Sequence, residues 1–254
     1  MAFLRYLFIF GLQEARSCLF AVIIFLVLAG TKVIHLPGLH RYDWLLILCV
    51  LAQLTLVACK LETWRDVKAT LIFHGFGLVL ELYKVHMGSW SYPEDGYTKF
   101  AGVPLYSGFM YAAVGSYMIH SWKYLKLDLV HYPSFKLMSV IGLAVYLNFF
   151  THHYIYDMRW ILTFIIFAVL YKSKVAFTLQ SRTFYLSLPV SFFLIGFFIW
   201  VAENITTYLG AWTYPDQSAA WSMVHIGKIT SWFLLAIISF IIVAEQNRPK
   251  KATK

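Results

Sequence analysis

Glu81 and Glu203 each stand within or at the end of an apolar stretch, and each opens a version of one fourteen-residue segment. The first copy is Glu81 to Glu94, ELYKVHMGSWSYPE, and the second is Glu203 to Asp216, ENITTYLGAWTYPD. The offset between them is 122 throughout, and Glu81/Glu203, Gly88/Gly210, Trp90/Trp212, Tyr92/Tyr214 and Pro93/Pro215 are identical pairs. An acid also follows the proline in both copies, as Glu94 and Asp216. A carboxylate in hydrocarbon costs about 2.5–3.5 kcal/mol on insertion scales, so each Glu should face the interior of a bundle and have a partner. Burial favours the neutral acid, and a neutral acid in a dry site can donate a proton. The alternative is that each Glu bonds across helices and locks them together.

Lys228 is the candidate partner. It lies seven residues into the last apolar run, with His225 three residues earlier on the same expected helix face. A lysine at that depth needs a counter-charge, which makes it part of the chemistry or half of a structural bridge with Glu. The next cluster is Asn148 to Arg159, NFFTHHYIYDMR, where His152 or His153 could pair with Asp157 as base and orienter. His153, Asp157 and His225 could form a metal set, but no two-histidine motif with an adjacent catalytic acid is present, so no metal is assigned. Trp90, Tyr92, Trp212 and Tyr214 suit a membrane interface, and with Glu94 and Asp216 they would meet a substrate at the mouth of the site. Gly88 and Gly210 should release a helix end.

The elements that position these residues are membrane helices. Hydrophobic residues make up 60% of the 254-residue chain and charged residues 13%. That is more apolar surface than a soluble globule of this size can hide. Residues 1–16 read as an interfacial segment, with a helix over Tyr6–Leu12. No cleavable signal peptide is evident. Eight spans follow, at about Ser17–Leu36, Asp43–Cys59, Ala69–His86, Gly102–Trp122, Phe135–Tyr154, Met158–Tyr171, Phe184–Asn204 and Trp221–Glu245. The fold class is therefore an all-α integral membrane bundle. Its two parallel four-helix repeats cover 17–130 and 131–245, and 246–254 form a basic tail. On the fourth span Gly108, Ala112, Gly115 and Ser116 make a close-packing face, and His74 on the third reads as a packing residue.

The formal charge of +9 follows this topology and is not a nucleic-acid footprint. Of the 21 Lys and Arg, Lys228 lies within a span, Lys32, Arg41, Lys84, Lys99 and Arg159 fall on one side, and fifteen fall on the other. Both termini are then cytoplasmic and both motif loops face outside. Cys18, Cys49 and Cys59 are scattered in apolar runs and give neither a disulfide framework nor metal spacing.

The run Glu81, Gly88-Ser89-Trp90-Ser91-Tyr92-Pro93-Glu94, Gly102-Val103-Pro104-Leu105, Gly108-Phe109-Met110-Tyr111, Val114-Gly115-Ser116-Tyr117 resembles the YoaT-like bacterial membrane proteins, a family of unknown function. The resemblance covers nearly the whole chain and implies a bacterial cytoplasmic-membrane protein. A fainter similarity, over Glu81 and Gly88 to Leu105, links the chain to membrane-embedded carotenoid cyclases and hydratases. The expected function is intramembrane acid–base chemistry on an isoprenoid or other lipid, with the bilayer as partner and no cofactor named. A proton-coupled transporter and a non-catalytic scaffold are the alternatives.

Overall fold

In the computed structural model, which describes residues 2–247, the apolar segments are helices joined by two small sheets. The helices are α1 (Ala2–Ser17), α2 (Leu19–Val33), α3 (Arg41–Ala58), α4 (Trp64–His86), α5 (Ser107–Tyr124), α6 (Phe135–Thr151), α7 (Arg159–Leu170), α8 (Leu188–Tyr208) and α9 (Lys228–Asn247). The strands are β1 (Lys99–Phe100), β2 (Val103–Pro104), β3 (Asp128–Val130), β4 (Lys174–Leu179) and β5 (Arg182–Ser187). Of the expected basic tail, residues 248–254 lie outside the described residues.

Each expected span corresponds to one of α2 to α9, but far fewer qualify as spans by length and composition. Among the described residues only α3, α8 and α9 do so singly, and α1 with α2 adds a fourth if this pair, bent by 62° at Cys18, is one span. The reason is geometric. Crossing about 30 Å of hydrocarbon takes roughly 20 apolar residues. Helices α2, α6 and α7 have 15, 17 and 12 residues. Helix α4 is long enough at 23 residues but carries Arg65, Asp66, Lys68, Glu81 and Lys84. A mostly helical chain with three or four such helices is equipped to associate with a membrane.

Three boundaries differ from expectation. Helix α4 starts at Trp64 rather than near Ala69. A capping box does this: Asp66 N–H donates to Thr63 Oγ1 (3.3 Å) while Thr63 N–H donates to Asp66 Oδ2 (2.9 Å). The fold is also not all-α. Residues 174–187, expected to be a connector and a helix start, form the β4–β5 hairpin, with β3 added as its third strand. The turn is Gln180-Ser181, and Gln180 takes a positive φ of 56°. Two short β-branched and aromatic runs around a two-residue break are a hairpin signal. Finally, α9 begins at Lys228, not at Trp221. The backbone of the preceding segment is held by side chains: Gln217 Nε2 donates to Ser222 O (2.6 Å), Val224 N–H to Asn204 Oδ1 (2.9 Å) and Trp200 Nε1 to Val224 O (3.0 Å). Those bonds compete with a helical ladder.

The chain divides into two compact units. Among the described residues, 2–121 and 199–226 form one, and 122–198 and 227–247 form the other. The core of the first is built by α2, α3, α5 and the motif loops, around Phe20, Leu28, Tyr42, Leu45, Tyr92, Tyr106 and Ala211. Helix α5 presses on α4 through its small residues. A Cβ on Gly115 would sit 2.2 Å from the Phe73 ring, and one on Gly108 would sit 2.7 Å from the ring of His74. His74 is thus a packing residue, its ring 4.7 Å from that of Phe109. In the second unit, α8 crosses α9 at Gly196, where a Cβ would lie 2.7 Å from the Phe233 backbone nitrogen. Backbone cannot step aside as a side chain can. Gly196→Val is therefore expected to lower stability by about 2–3 kcal/mol, measured as a fall in Tm in detergent; an unchanged Tm would mean the crossing tolerates a wider spacing.

Candidate functional site

Both motif helices end in the same way. In α4, Gly88 (φ 69°) donates to Val85 O (3.0 Å) and Ser89 N–H to Lys84 O (2.9 Å). In α8, Gly210 (φ 73°) donates to Thr207 O (3.0 Å) and Ala211 N–H to Thr206 O (3.0 Å). This is a Schellman close, and the left-handed residue in it is the glycine present in both copies. Each loop then turns back so that its tyrosine meets the glutamate eleven residues upstream. The Tyr92 hydroxyl donates to Glu81 Oε2 (2.7 Å), and the Tyr214 hydroxyl donates to Glu203 Oε1 (2.5 Å). Both glutamates are 3% exposed.

The loops also pair with each other. Ser91 N–H donates to Thr213 O and Thr213 N–H to Ser91 O, each at 2.9 Å, in an antiparallel bridge. Ser91 and Thr213 are equivalent positions of the motif. A reciprocal bridge between equivalent positions places a local two-fold axis between the loops. The Trp90 ring lies edge-on to Tyr214, centroids 6.0 Å apart, and the Trp90 indole N–H donates to Glu81 Oε2 (2.7 Å). Trp90 therefore touches both glutamate–tyrosine pairs.

Sequence reasoning missed further members of this centre. Tyr111 on α5 donates to Glu81 Oε1 (2.7 Å), so Glu81 accepts from Trp90, Tyr92 and Tyr111. The Tyr106 hydroxyl donates to Ala211 O, and Tyr106 packs on Tyr42 and Tyr92 at centroid distances of 5.3 and 6.2 Å. Burial, and then the Glu81 charge, pushes the Tyr92 hydroxyl well above the usual phenol range; burial and Glu203 do the same to Tyr214. Both therefore remain neutral donors. Tyr111 did carry a signal, since it belongs to a run with Gly108 and Gly115 at helical spacing, but its phenol could only be aimed at Glu81 by the approach of α5 to α4.

Arg41 was read only as one of the outer charges. It is the anchor of the whole loop pair. Its guanidinium donates to Glu94 Oε1 (2.7 Å), Gly210 O (3.2 Å), Leu209 O (2.9 Å), Leu28 O (3.2 Å) and Thr31 Oγ1 (3.3 Å). Lys99 Nζ bonds Tyr92 O (2.6 Å) and Glu94 O (3.0 Å), and Asp43 accepts from Tyr97 and Thr98. The acids after the two prolines differ accordingly. Glu94 is tied to Arg41, whereas Asp216 is exposed in a short 3₁₀ turn, Pro215–Gln217. Trp212 is buried, at 8% exposure.

Of the other expected site residues, only His225 belongs to the same compact unit as this centre. His225 is exposed in the irregular segment before α9, and Lys228 opens that helix half-buried, so the two do not share a helix face. Lys228 also belongs to the second compact unit, as do His152, His153 and Asp157. Asp157 accepts from Asn148 Nδ2 (3.1 Å) and Arg159 N–H (2.9 Å) and pairs with the Arg159 guanidinium (3.0 Å). Burial works to raise this carboxyl, but those donors hold it below the usual carboxylate range. The His152 ring bonds Asn148 O (2.9 Å) and lies 4.1 Å from the ring of His153. Among the described residues, no group of three or more His, Cys, Asp and Glu side chains is placed to hold a metal ion.

A second buried polar cluster was also missed. Glu62, in the α3–α4 turn, accepts from Ser116 Oγ (2.8 Å) and from the Gln53 amide. The Ser116 hydroxyl also lies 3.2 Å from His120 Nδ1, one helical turn further along α5. By donating to Glu62, the buried Ser116 hydroxyl ties α5 to that turn.

A family described as "Protein of unknown function (DUF817)" matches residues 6–240. The chain is 53% identical over 242 residues to the uncharacterized protein YoaT of Bacillus subtilis (strain 168), covering 95% of this chain and 92% of that one. No solved structure is significantly similar.

Proposed function

Because the chain belongs to the DUF817 family, which carries no assigned activity, we propose from its own residues that it is a membrane-embedded enzyme performing acid–base chemistry on an isoprenoid or other lipid. The observation that carries this reading is the pair of buried glutamates, Glu81 and Glu203, each bonded to an equivalent tyrosine and linked through Trp90. The chemistry requires one of the two acids to hold a proton while the other is ionised. The protonated one passes its proton to an alkene carbon, whose π pair forms the new C–H bond. The cation left on the neighbouring carbon is stabilised by the faces of the surrounding Trp and Tyr rings. It then loses an adjacent proton to the other carboxylate, giving an isomer, or takes up water, whose spare proton returns to that carboxylate. Neither outcome needs an oxidant or a second substrate beyond water.

In the same reading the chain sits in a bacterial cytoplasmic membrane as two parallel four-helix repeats, with both termini inside. The test is mass spectrometry of lipid extracts from cells lacking the protein and cells producing it. A lipid that gains the mass of water, or shifts in retention at constant mass, is the expected result. Identical profiles would remove the enzymatic reading and leave flux in proteoliposomes as the next measurement.

A further inference from the structure

The three-stranded sheet of the second unit has no part in the chemistry above. Its position follows from chain continuity. Helix α7 runs into β4 and β5 runs into α8, while β3 leads into α6. Helices α7 and α8 expose apolar rows, with Phe164 74% and Phe198 66% accessible, as lipid-facing helices do. In the membrane-embedded reading, a sheet inserted directly between these two helices lies where the hydrocarbon ends.

The sheet is amphipathic. Pairing of Val175 with Leu186 and of Phe177 with Phe184 puts these apolar residues on one face, where the two phenylalanine rings stack at 5.6 Å. Lys174, Thr178, Thr183 and Tyr185 alternate with them and occupy the other face. Exposed cations gather at both ends of β4. Lys172 and Lys174 stand at its start. At its far end are Arg182, which pairs with Leu179 and so ends the apolar face at the turn, and Lys126, whose neighbour Leu125 accepts from Thr178 N–H (2.8 Å). The strand's six residues separate the two groups by about 20 Å. Tyr171 and Tyr185 are 68% and 61% exposed beside them, and the Lys172 ammonium lies over the Tyr171 ring at 5.3 Å. One exposed carboxylate, Asp128, shares the outward face and bonds its own neighbour's N–H.

We propose that the outward face and ends of the β3–β4–β5 sheet bind the anionic phosphate headgroups of membrane phospholipid. Charge complementarity selects this occupant: four cations at headgroup depth, flanked by tyrosines whose rings enter the interface, match a layer of phosphates. The inference rests on the membrane-embedded reading but not on turnover. The lysines on the β4 side satisfy the general inward bias of positive charge, yet a sheet is not required for that bias. Here it fixes two cationic groups at a set spacing.

The test uses the full chain in nanodiscs of phosphatidylcholine alone and of phosphatidylcholine with phosphatidylglycerol, read by Tm. Phosphatidylglycerol is expected to raise Tm by several degrees, and high salt to reduce the rise. The variant K126Q/K172Q/K174Q/R182Q should keep its Tm in phosphatidylcholine and lose the rise. If it is unstable in phosphatidylcholine, K172Q/K174Q replaces it, with a smaller loss expected. A rise retained in the variant, or absent in the wild type, overturns the proposal. So does a native mass spectrum in which the same substitutions dissociate a dimer, because the occupant would then be a second copy. Since no step depends on catalysis, an unchanged lipid profile in cells leaves this result standing.

Discussion

Glu81→Gln is expected to abolish lipid conversion while leaving the protein folded and in the membrane. The amide cannot release a proton to an alkene or accept one back, so the acid–base cycle stops. The fold survives because the site can adapt. The carbonyl oxygen of Gln can take the position of Oε2, where Trp90 and Tyr92 donate. Trp90 can only donate, so this orientation is forced. The amide nitrogen then faces the Tyr111 hydroxyl, which can rotate from donating to accepting. The loss in stability should be about 1 kcal/mol, the scale of one rearranged hydrogen bond. Lipid mass spectrometry supplies the first readout, and the amount of folded protein in the membrane fraction supplies the control. Full conversion by the variant would remove Glu81 from the chemistry and leave it as a cross-helix lock. Tyr92→Phe, which deletes one donor but no acid, should retain partial conversion.

Arg41→Met should be the most damaging single substitution for stability, at about 3–5 kcal/mol. The guanidinium joins three segments that otherwise have little in common: the α2 end at Leu28 and Thr31, the first loop at Glu94, and the α8 exit at Leu209 and Gly210. It is 12% exposed and its partner Glu94 35%. Removal leaves three carbonyls short of a donor and a half-buried carboxylate without its cation. Lysine offers a point charge instead of a planar fork and should recover only part of the loss. Adding Glu94→Gln to Arg41→Met should cost little more, since the two residues act as one unit. Tm measurements on the four proteins of this cycle decide the matter. A loss below about 1 kcal/mol for Arg41→Met would place it among ordinary surface changes.

The motif residues were legible because they repeat. A glutamate seven residues before a glycine and eleven before a tyrosine, twice over, signals a recurring local structure, and both copies build the same helix end and the same Glu–Tyr bond. Residues without a repeated counterpart were not legible. Tyr111 aligns with Phe233, which has no hydroxyl, and Arg41 with Thr163, so the internal comparison gave no reason to select either. Their roles come from tertiary approach, which no spacing rule encodes. Lys228 shows the opposite error. Hydropathy extended the last helix back to Trp221, but Gln217, Asn204 and Trp200 hold that backbone in another shape. The β4–β5 hairpin was hidden for a related reason: its residues are apolar enough to merge with the helix that follows.

The Ser91–Thr213 bridge has the symmetry of a subunit interface. An antiparallel contact in which one position meets its own counterpart is isologous, the form that identical subunits use when they pair about a two-fold axis. Within one chain it ties the two motif loops together at matching positions while leaving the rest of each loop independent. That independence is visible in Glu94, which is committed to Arg41, and in Asp216, which is open to solvent.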